Sequence, residues 1–353
     1  LSALVFILAA DSGLGGLLGM FFPDETLQAW GVSFQGLPGL VAIAISLATG
    51  ALLGLVNGLL RISTRIPSFI VTLGTLYLYR SMMLAIIPGG TIARYLKPPI
   101  MAQFHPLALI GMTVGLVLLI LYFSRKAIQF NWQRLRQNGG ALKTGPAIRL
   151  ALIGVTLVFG VILVIQEIAA YSGEINTIVE ADLFDILNGQ LPYMVEHSAN
   201  YRSSIIWWFI VAGLFQIVLT QTRYGNAVFA AGGNPEAARA QGVNVNRVKV
   251  YNFVLSGVLS AVGGIMEAAR FRVVEPLRGT GYELDVIAAA VIGGTLLTGG
   301  YGSIIGAVLG VLLAGMLKTG LVLIGVEASW FRGVLGVIMI GAVIINTNIR
   351  RQR

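Results

Sequence analysis

The sequence contains no cysteine and only two histidines, His105 and His197, which lie far apart along the chain. Without cysteine, a disulfide framework, a thiolate metal site and a cysteine nucleophile are all excluded. Two distant histidines are also too few for a histidine-rich metal site. The sequence therefore predicts neither metal-ligating residues nor cysteine-based catalysis.

Charged residues are scarce as well, at 11% of the chain, whereas soluble globular proteins carry about 25%. Hydrophobic residues make up 56%, and the mean hydropathy is +0.83. This composition argues against a soluble enzyme, a nucleic-acid binder and a disordered scaffold. The net charge of +9 is also found in nucleic-acid-binding proteins, but basic cytoplasmic loops are its commoner cause in a membrane protein. We predict an integral membrane protein without a nucleic-acid partner.

Apolar runs recur along the whole sequence, and most are long enough to cross a bilayer as helices. They predict an all-α fold, a polytopic transmembrane helical bundle that forms one domain over residues 1–353. The run at 284–298 is too short to span the hydrocarbon core comfortably, which favours a broken or a re-entrant helix. Because Leu1 already lies in an apolar run, we expect the natural N-terminus to lie outside this sequence. The ten predicted segments are 1–22, 36–60, 68–87, 107–123, 150–170, 204–221, 250–270, 284–298, 303–326 and 331–348.

The charges of two loops predict the orientation in the membrane. The loop 124–149 carries six basic residues and no acidic one, whereas the loop 171–203 is rich in acids. Because Lys and Arg accumulate on the cytoplasmic side, 124–149 is predicted to be a cytoplasmic loop and 171–203 a periplasmic loop. Alternation of the segments then places residues 222–249 in the cytoplasm, and it places the C-terminus there as well if 284–298 and 303–326 both cross the membrane.

Glycines repeat at every fourth position in two places, a spacing that allows helices to approach closely in lipid. We predict that both series serve helix packing and not ligand binding. The first series is Gly50, Gly54 and Gly58, and the second is Gly302, Gly306 and Gly310.

The sequence shows no residue set for covalent catalysis and no ATP-binding loop of its own. The nearest candidate, residues 139–144, lacks the glycine that precedes lysine in phosphate-binding loops. Ionisable residues in apolar segments are often functional, and the candidates here are Asp11, Arg80 and Glu267, of which Glu267 is expected to pair locally with Arg270. This set is small for an ion-coupled carrier. We therefore predict that the chain is not an enzyme and has no catalytic residues, with a stand-alone ion-coupled transporter as an alternative function.

The segment 222–249 contains signals for a short, sharply bounded helix. Asn234 is a favoured cap for a helix that begins at Pro235. Glu236 then lies in the first turn, where the helix dipole favours an acid, and Gly242 is a typical C-terminal stop. Such a two-turn helix is too short to be stable alone in water, so it requires a surface to pack on.

Three sequence blocks resemble the permease subunits of bacterial ABC importers. The pattern Glu236-Ala237-Ala238-x-x-x-Gly242 matches their EAA…G motif. The stretch GGNPEAARAQGVNVNRVK, followed by GTGYELDVIAAAVIGGTLLTGGYGS, is similar to the sugar branch of that family, which includes ribose, xylose and galactose permeases. The block GLVNGLLRISTRIPSFIVTLGTLYLYR resembles the same branch. The resemblance implies a fold like that of type II ABC importer permeases, in the cytoplasmic (inner) membrane of a bacterium.

The resemblance also implies partners. They are a second permease subunit, identical or different, ABC ATPase subunits that bind ATP and Mg²⁺, and a periplasmic substrate-binding protein. The short helix would dock into a groove on an ATPase subunit, through polar contacts and through small residues that allow close approach. The acid-rich loop 171–203 is then either a docking surface for the binding protein or a solvated linker. The predicted ATPase-coupling residues are Asn234, Pro235, Glu236, Ala237, Ala238, Arg239, Gly242 and Asn244.

A neutral sugar that crosses the membrane needs hydrogen-bonding groups and aromatic faces that hold it weakly. The alternative role for each candidate is a helix–helix hydrogen bond, and Glu283 and Asp285 could instead cap the helix that follows them. We predict a monosaccharide as the substrate, with a nucleoside or another small polar solute as the alternative. The candidate pathway residues are Asn57, Thr72, Thr75, Tyr282, Glu283 and Asp285.

Overall fold

The computed structural model describes residues 1–18, 20, 24–29, 37–87, 93–94, 101–104, 179–189, 202–326 and 328–351. Within these ranges the chain is almost entirely helical, which confirms the predicted class. The helices are α1 (Ser2–Leu18), α2 (Asp24–Ala29), α3 (Gly39–Thr64), α4 (Ser68–Ile86), α5 (Leu183–Asn188), α6 (Ser203–Gln221), α7 (Arg223–Gly233), α8 (Pro235–Ala240), α9 (Val245–Phe271), α10 (Tyr282–Ile292), α11 (Ile304–Leu323) and α12 (Ala328–Arg351). Short strands in the same ranges are β1 (Ala93–Arg94), β2 (Met101–Phe104), β3 (Val179–Asp182) and β4 (Val273–Val274).

In the described part of the chain, α3, α4, α6, α9 and α11 are long and apolar enough to cross a membrane. At most 28% of the residues in any of their apolar windows are buried within the chain. Large side chains such as Leu52 and Leu312 are exposed instead, as expected for surfaces that face lipid or another membrane subunit. These helices confirm the segments predicted at 36–60, 68–87, 204–221, 250–270 and 303–326.

The apolar run predicted at 284–298 forms a helix over only part of its length. Helix α10 comprises 11 residues and ends at Ile292, and Gly294 follows with a φ of +85°. At about 1.5 Å per residue, a helix of this length covers roughly half of a hydrocarbon core. Helix α10 is therefore too short to cross the membrane by itself.

Helices α1 and α12 occupy the predicted segments 1–22 and 331–348. Other predictions concern residues outside the described ranges. These are the apolar segments 107–123 and 150–170, the basic loop 124–149, and both histidines, His105 and His197.

The described residues form two compact units, and the first contains α1 to α5, the short strands and most of α9. Helix α1 lies in the core of this unit. The ring of Phe6 is fully buried and meets Phe184 edge to face, with 6.0 Å between centroids. The buried hydroxyl of Ser46 on α3 donates a 2.6 Å hydrogen bond to the carbonyl of Ser2. Apolar burial and this buried hydrogen bond together attach α1 to α3.

The first glycine series packs α3 against α9, as predicted. A Cβ at Gly54 would overlap the carbonyl oxygen of Phe253, and a Cβ at Gly50 would lie 2.6 Å from the carbonyl oxygen of Gly257. A Cβ at Gly58 would lie 3.2 Å from the Cβ of Phe253, which is tighter than an ordinary van der Waals contact. The two helices therefore cross with backbone against backbone, which only small residues permit.

The described part of the acid-rich loop 171–203 is folded into the first unit. Strand β3 pairs antiparallel with β2, and α5 follows it with Phe184 buried. Arg272 donates a 2.7 Å hydrogen bond to Asp182, and Trp207 donates to the carbonyl of Ile186. Burial raises the pKa of the Asp182 carboxyl, and the Arg272 guanidinium opposes that shift. In residues 179–189, the loop is thus a packed element and not a solvated linker.

The second unit contains α7, α8, α10, α11 and α12. One apolar cluster of this unit joins α10 to α12 through Ala288, Phe331 and Leu335. In the second glycine series, Gly306 and Gly310 lie on α11 and face the backbone of α10. Gly302 precedes α11 and contacts Thr295 instead, so the prediction that this series serves helix packing holds for two of its three members.

Candidate functional site

Three successive helices, α7, α8 and α9, begin within the segment 222–249, and a side chain caps the start of each. The hydroxyl of Thr222 accepts from the N–H of Gly225 at the start of α7. Asn234 Oδ1 accepts from the first N–H groups of α8, and Asn244 Oδ1 accepts from the N–H of Arg247 in α9. Capping of this kind satisfies N–H groups that a helix leaves unpaired. Local sequence therefore determines where each helix begins.

Helix α8 begins at Pro235 behind Asn234, as predicted, and Glu236 lies in its first turn. It ends at Ala240, and Gly242 follows in the left-handed conformation with a φ of +82°. The N–H groups of Gly242 and Val243 close the helix on the carbonyls of Arg239 and Ala238, both at 2.9 Å. This is the bonding pattern of a glycine-terminated helix.

The short helix packs on α7 and on the first turn of α9. Ala238 is 3% exposed and lies in a cluster with Ala231, Val245 and Val248. The methyl group of Ala238 therefore faces the chain's own interior, and the close approach of this helix to a partner stays a prediction. The exposed side of the helix is formed by Glu236, Ala237, Arg239, Ala240 and Gln241.

A cavity of about 430 Å³ opens in the first unit between α3, α4, the end of α9 and the turn after it. Three predicted pathway residues, Asn57, Thr72 and Thr75, line it. The threonine hydroxyls donate to carbonyls of their own helix, which leaves their oxygen lone pairs as acceptors. Tyr79 also lines the cavity, with its hydroxyl 3.5 Å from Asn57 Oδ1.

Charged residues complete the wall of this cavity. Arg278 lies 3.9 Å from Glu267 and 3.5 Å from Glu275, and its guanidinium stacks over the ring of Phe271 at 4.0 Å. Glu267 thus pairs with Arg278 and not with Arg270, which corrects the expected local ion pair. The turn after α9 brings Arg278 back to Glu267.

Sequence reasoning identified Arg80 and Glu267 as ionisable residues in apolar segments, and both line the cavity. It missed Tyr79, Glu275 and Arg278. Glu275 and Arg278 lie in the turn that follows α9. This turn has no hydrophobic periodicity, so no pattern in the sequence linked these residues to α3 and α4.

The other three pathway candidates lie at the start of α10 in the second unit. Glu283 accepts a hydrogen bond from the N–H of Gly281 at 3.1 Å, which is a capping contact. Tyr282 is 52% exposed, and Asp285 lies in the first turn. Three of the six predicted residues thus line the cavity in the first unit, and the other three belong to the second unit. Among the described residues, no group of three or more His, Asp or Glu side chains could hold a metal ion.

Comparison with known proteins places these features in a family. A family profile described as the branched-chain amino acid transport system/permease component matches residues 81–343. The ribose import permease protein of Escherichia coli K12 is 44% identical over 129 residues, which are 36% of this chain and 40% of that protein. The xylose transport system permease proteins of E. coli K12 and Haemophilus influenzae are each 28% identical over 99% of this chain, and the matches cover 81% and 85% of those proteins.

The chain thus spans about 40% of the length of the ribose permease that it matches. No solved structure matches it significantly. The family match runs from the C-terminal part of α4 into α12 and includes the whole 222–249 segment. With most of its length matched, the chain belongs to the permease family described as the branched-chain amino acid transport system/permease component.

Proposed function

We propose that this chain is the membrane-spanning subunit of an ATP-driven importer and forms part of the pathway for a monosaccharide. A separate ATPase subunit drives transport, and a periplasmic binding protein delivers the sugar. The chain itself performs no covalent chemistry, and ATP and Mg²⁺ bind to the ATPase. Two permease subunits, identical or different, pair around the pathway.

The observation that carries the proposal is the capped helix α8. One side of this helix is exposed, and the other side packs on α7 and α9. Glu236 and Arg239 are exposed on this face, while Ala238 anchors the helix to the apolar cluster beneath. A helix this short has little stability of its own, so its packing on α7 and α9 is what keeps it folded as a contact surface. That arrangement suits a helix that is displaced by an ATPase and moves the membrane helices with it.

The family and the apolar helices make the chain a multi-pass membrane protein of the inner membrane. We infer from the distribution of Lys and Arg that the 222–249 segment and the C-terminus face the cytoplasm. The acid-rich loop 171–203 then faces the periplasm, where the binding protein docks. In its described part, α5 exposes Asp185 for that contact and is anchored by buried Leu183 and Phe184.

A monosaccharide is supported by two observations. The permeases from E. coli and H. influenzae that resemble the chain are named for ribose and xylose. The cavity combines hydroxyl, amide and paired charged groups, which can exchange hydrogen bonds with a polyhydroxylated solute. Asn57, Thr72 and Thr75 are proposed to contact it there, and Tyr282, Glu283 and Asp285 to contact it at the start of α10.

The experiment that tests the function is reconstitution into proteoliposomes with the partner ATPase and binding protein. We expect ATP inside the vesicles to drive uptake of ribose or xylose when all components are present. Uptake of a nucleoside but of no sugar would redirect the substrate within the importer class. Uptake by the chain alone, driven by a proton or sodium gradient, would replace the importer by an ion-coupled carrier.

Replacement of Thr72 by valine is expected to slow maximal uptake at saturating binding protein. Valine keeps the shape but removes the hydroxyl from the cavity wall, and one lost hydrogen bond corresponds to roughly a 2–10-fold lower rate. Thr220→Val is the matched control, because Thr220 also donates to the carbonyl four residues earlier but does not line the cavity. Equal uptake rates for the two variants would remove Thr72 from the pathway.

A further inference from the structure

At the end of α7, glycine backbone lies against glycine backbone of the loop between α10 and α11. A Cβ at Gly232 would lie 2.7 Å from the N atom of Gly300, and a Cβ at Gly300 would lie 2.7 Å from the Cα of Gly233. Gly299 and Gly300 have φ values of +89° and +78°, a conformation that glycine adopts without steric cost. We call Gly232, Gly299 and Gly300 the glycine contact, because a Cβ at each of them would lie within 3.0 Å of backbone on the other side.

On one side, the glycine contact is connected firmly to α8. A single residue, Asn234, separates α7 from α8. Its N–H donates to the carbonyl of Ala230 in α7, and its side chain accepts from the N–H groups of Glu236 and Ala237 in α8. Ala231 and Ala238 pack together in one cluster. The two helices are therefore expected to move as one body.

On the other side, the glycine contact is connected to α10 and α11. The loop that carries Gly299 is closed by a hydrogen bond from the N–H of Leu296 to the carbonyl of Tyr301 at 3.1 Å. Its two ends continue into helices that touch backbone to backbone, where Gly293 meets Gly306. A backbone contact cannot relax by changing a rotamer, so displacement at one side is transmitted with little slack.

We propose that the glycine contact is the joint through which movement of α8 is transmitted to α10 and α11 during transport. Gly232 and Gly300 are thus positioning residues, which act on the helices that follow them and do not touch the solute. This inference rests on the proposed function, because it assigns a route to the ATPase-driven movement. It predicts that a change at the joint separates ATP hydrolysis from uptake.

The test is Gly232→Ala in the complete complex of permease, ATPase and binding protein. Gly232 lies in helix α7, where alanine is a better helix former than glycine. In the part of the chain that the structure describes, the substitution is opposed by the close contact with Gly300. Gly233→Ala is the matched control in the same helix, because the nearest atom of the described residues would lie 3.9 Å from a Cβ there. Sugar uptake, ATP hydrolysis and thermal unfolding are measured for each variant.

We expect Gly232→Ala to assemble and to hydrolyse ATP at a rate close to the parent, but to transport fewer sugar molecules per ATP by about fivefold or more. Gly233→Ala should keep the parent ratio. If Gly232→Ala transports as many sugar molecules per ATP as the parent, the proposed joint is wrong. The joint is also wrong if uptake and ATP hydrolysis fall in proportion and the unfolding temperature drops, because that result indicates a structural role only. The proposed function itself fails separately, if the parent complex shows no ATP-driven uptake.

Discussion

Gly257→Ala is expected to lower the stability of the first unit strongly, because a methyl group there would force α3 and α9 apart. A Cβ at Gly257 would overlap the carbonyl oxygen of Gly50 and lie 3.1 Å from the Cα of Gly54. Both neighbours are backbone atoms, so α3 and α9 must separate along their contact. Overpacking of this kind costs about 3 kcal/mol or more. The yield of monodisperse protein in detergent and its thermal unfolding temperature should both fall sharply.

Gly263→Ala provides the control in the same helix. Among the described residues, no atom lies within 4 Å of a Cβ at that position, and alanine improves helix propensity by up to about 1 kcal/mol. This variant should therefore be at least as stable as the parent. If Gly257→Ala unfolds at the same temperature as Gly263→Ala, the close crossing of α3 and α9 is wrong.

The largest expected effect on activity is that of Glu236→Arg. Glu236 is exposed in the first turn of α8, where the helix dipole favours a negative charge. Reversal of this charge at the proposed contact with the ATPase should reduce ATP-driven uptake by about 30-fold or more. The amount of ATPase that co-purifies with the permease should fall in parallel, while membrane insertion stays intact.

Glu236→Gln separates charge from shape at the same position. Glutamine has almost the same size and helix propensity, so this variant should retain more ATPase than the arginine variant and lose less uptake. Full uptake by Glu236→Arg would count against the docking role of α8. If the ATPase still co-purifies with Glu236→Arg but uptake is lost, Glu236 acts in a step after docking.

The structure of α8 could be predicted because its determinants are local. Asn234 caps the helix, Pro235 suits its first position, and Gly242 adopts the left-handed conformation that ends it. Each of these effects acts within a few residues along the chain. The orientation of the helix was not predictable in the same way. Ala238 belongs to the EAA…G pattern, but its neighbours Val245 and Val248 belong to the next helix.

The cavity in the first unit could be predicted only in part, because it combines residues that are distant in sequence. Asn57, Thr72 and Thr75 were found because polar residues in apolar helices stand out. Their common cavity also contains Glu275 and Arg278, which lie in a turn where no period of the sequence points to them. The pairing of Glu267 with Arg278 depends on the course of that turn, and sequence spacing alone favoured Arg270.

The amino-acid sequence by itself determined the membrane class, the position of most helices and the ends of α8, because hydropathy and capping act on consecutive residues. Only the tertiary structure decided that α10 stops after 11 residues, which charges meet in the cavity, and that α7 touches the loop before α11 through Gly232 and Gly300. These features join residues that are distant in sequence. Whether such residues meet depends on how closely two backbones approach, and a glycine, with a hydrogen atom where alanine has a methyl group, permits the closest approach.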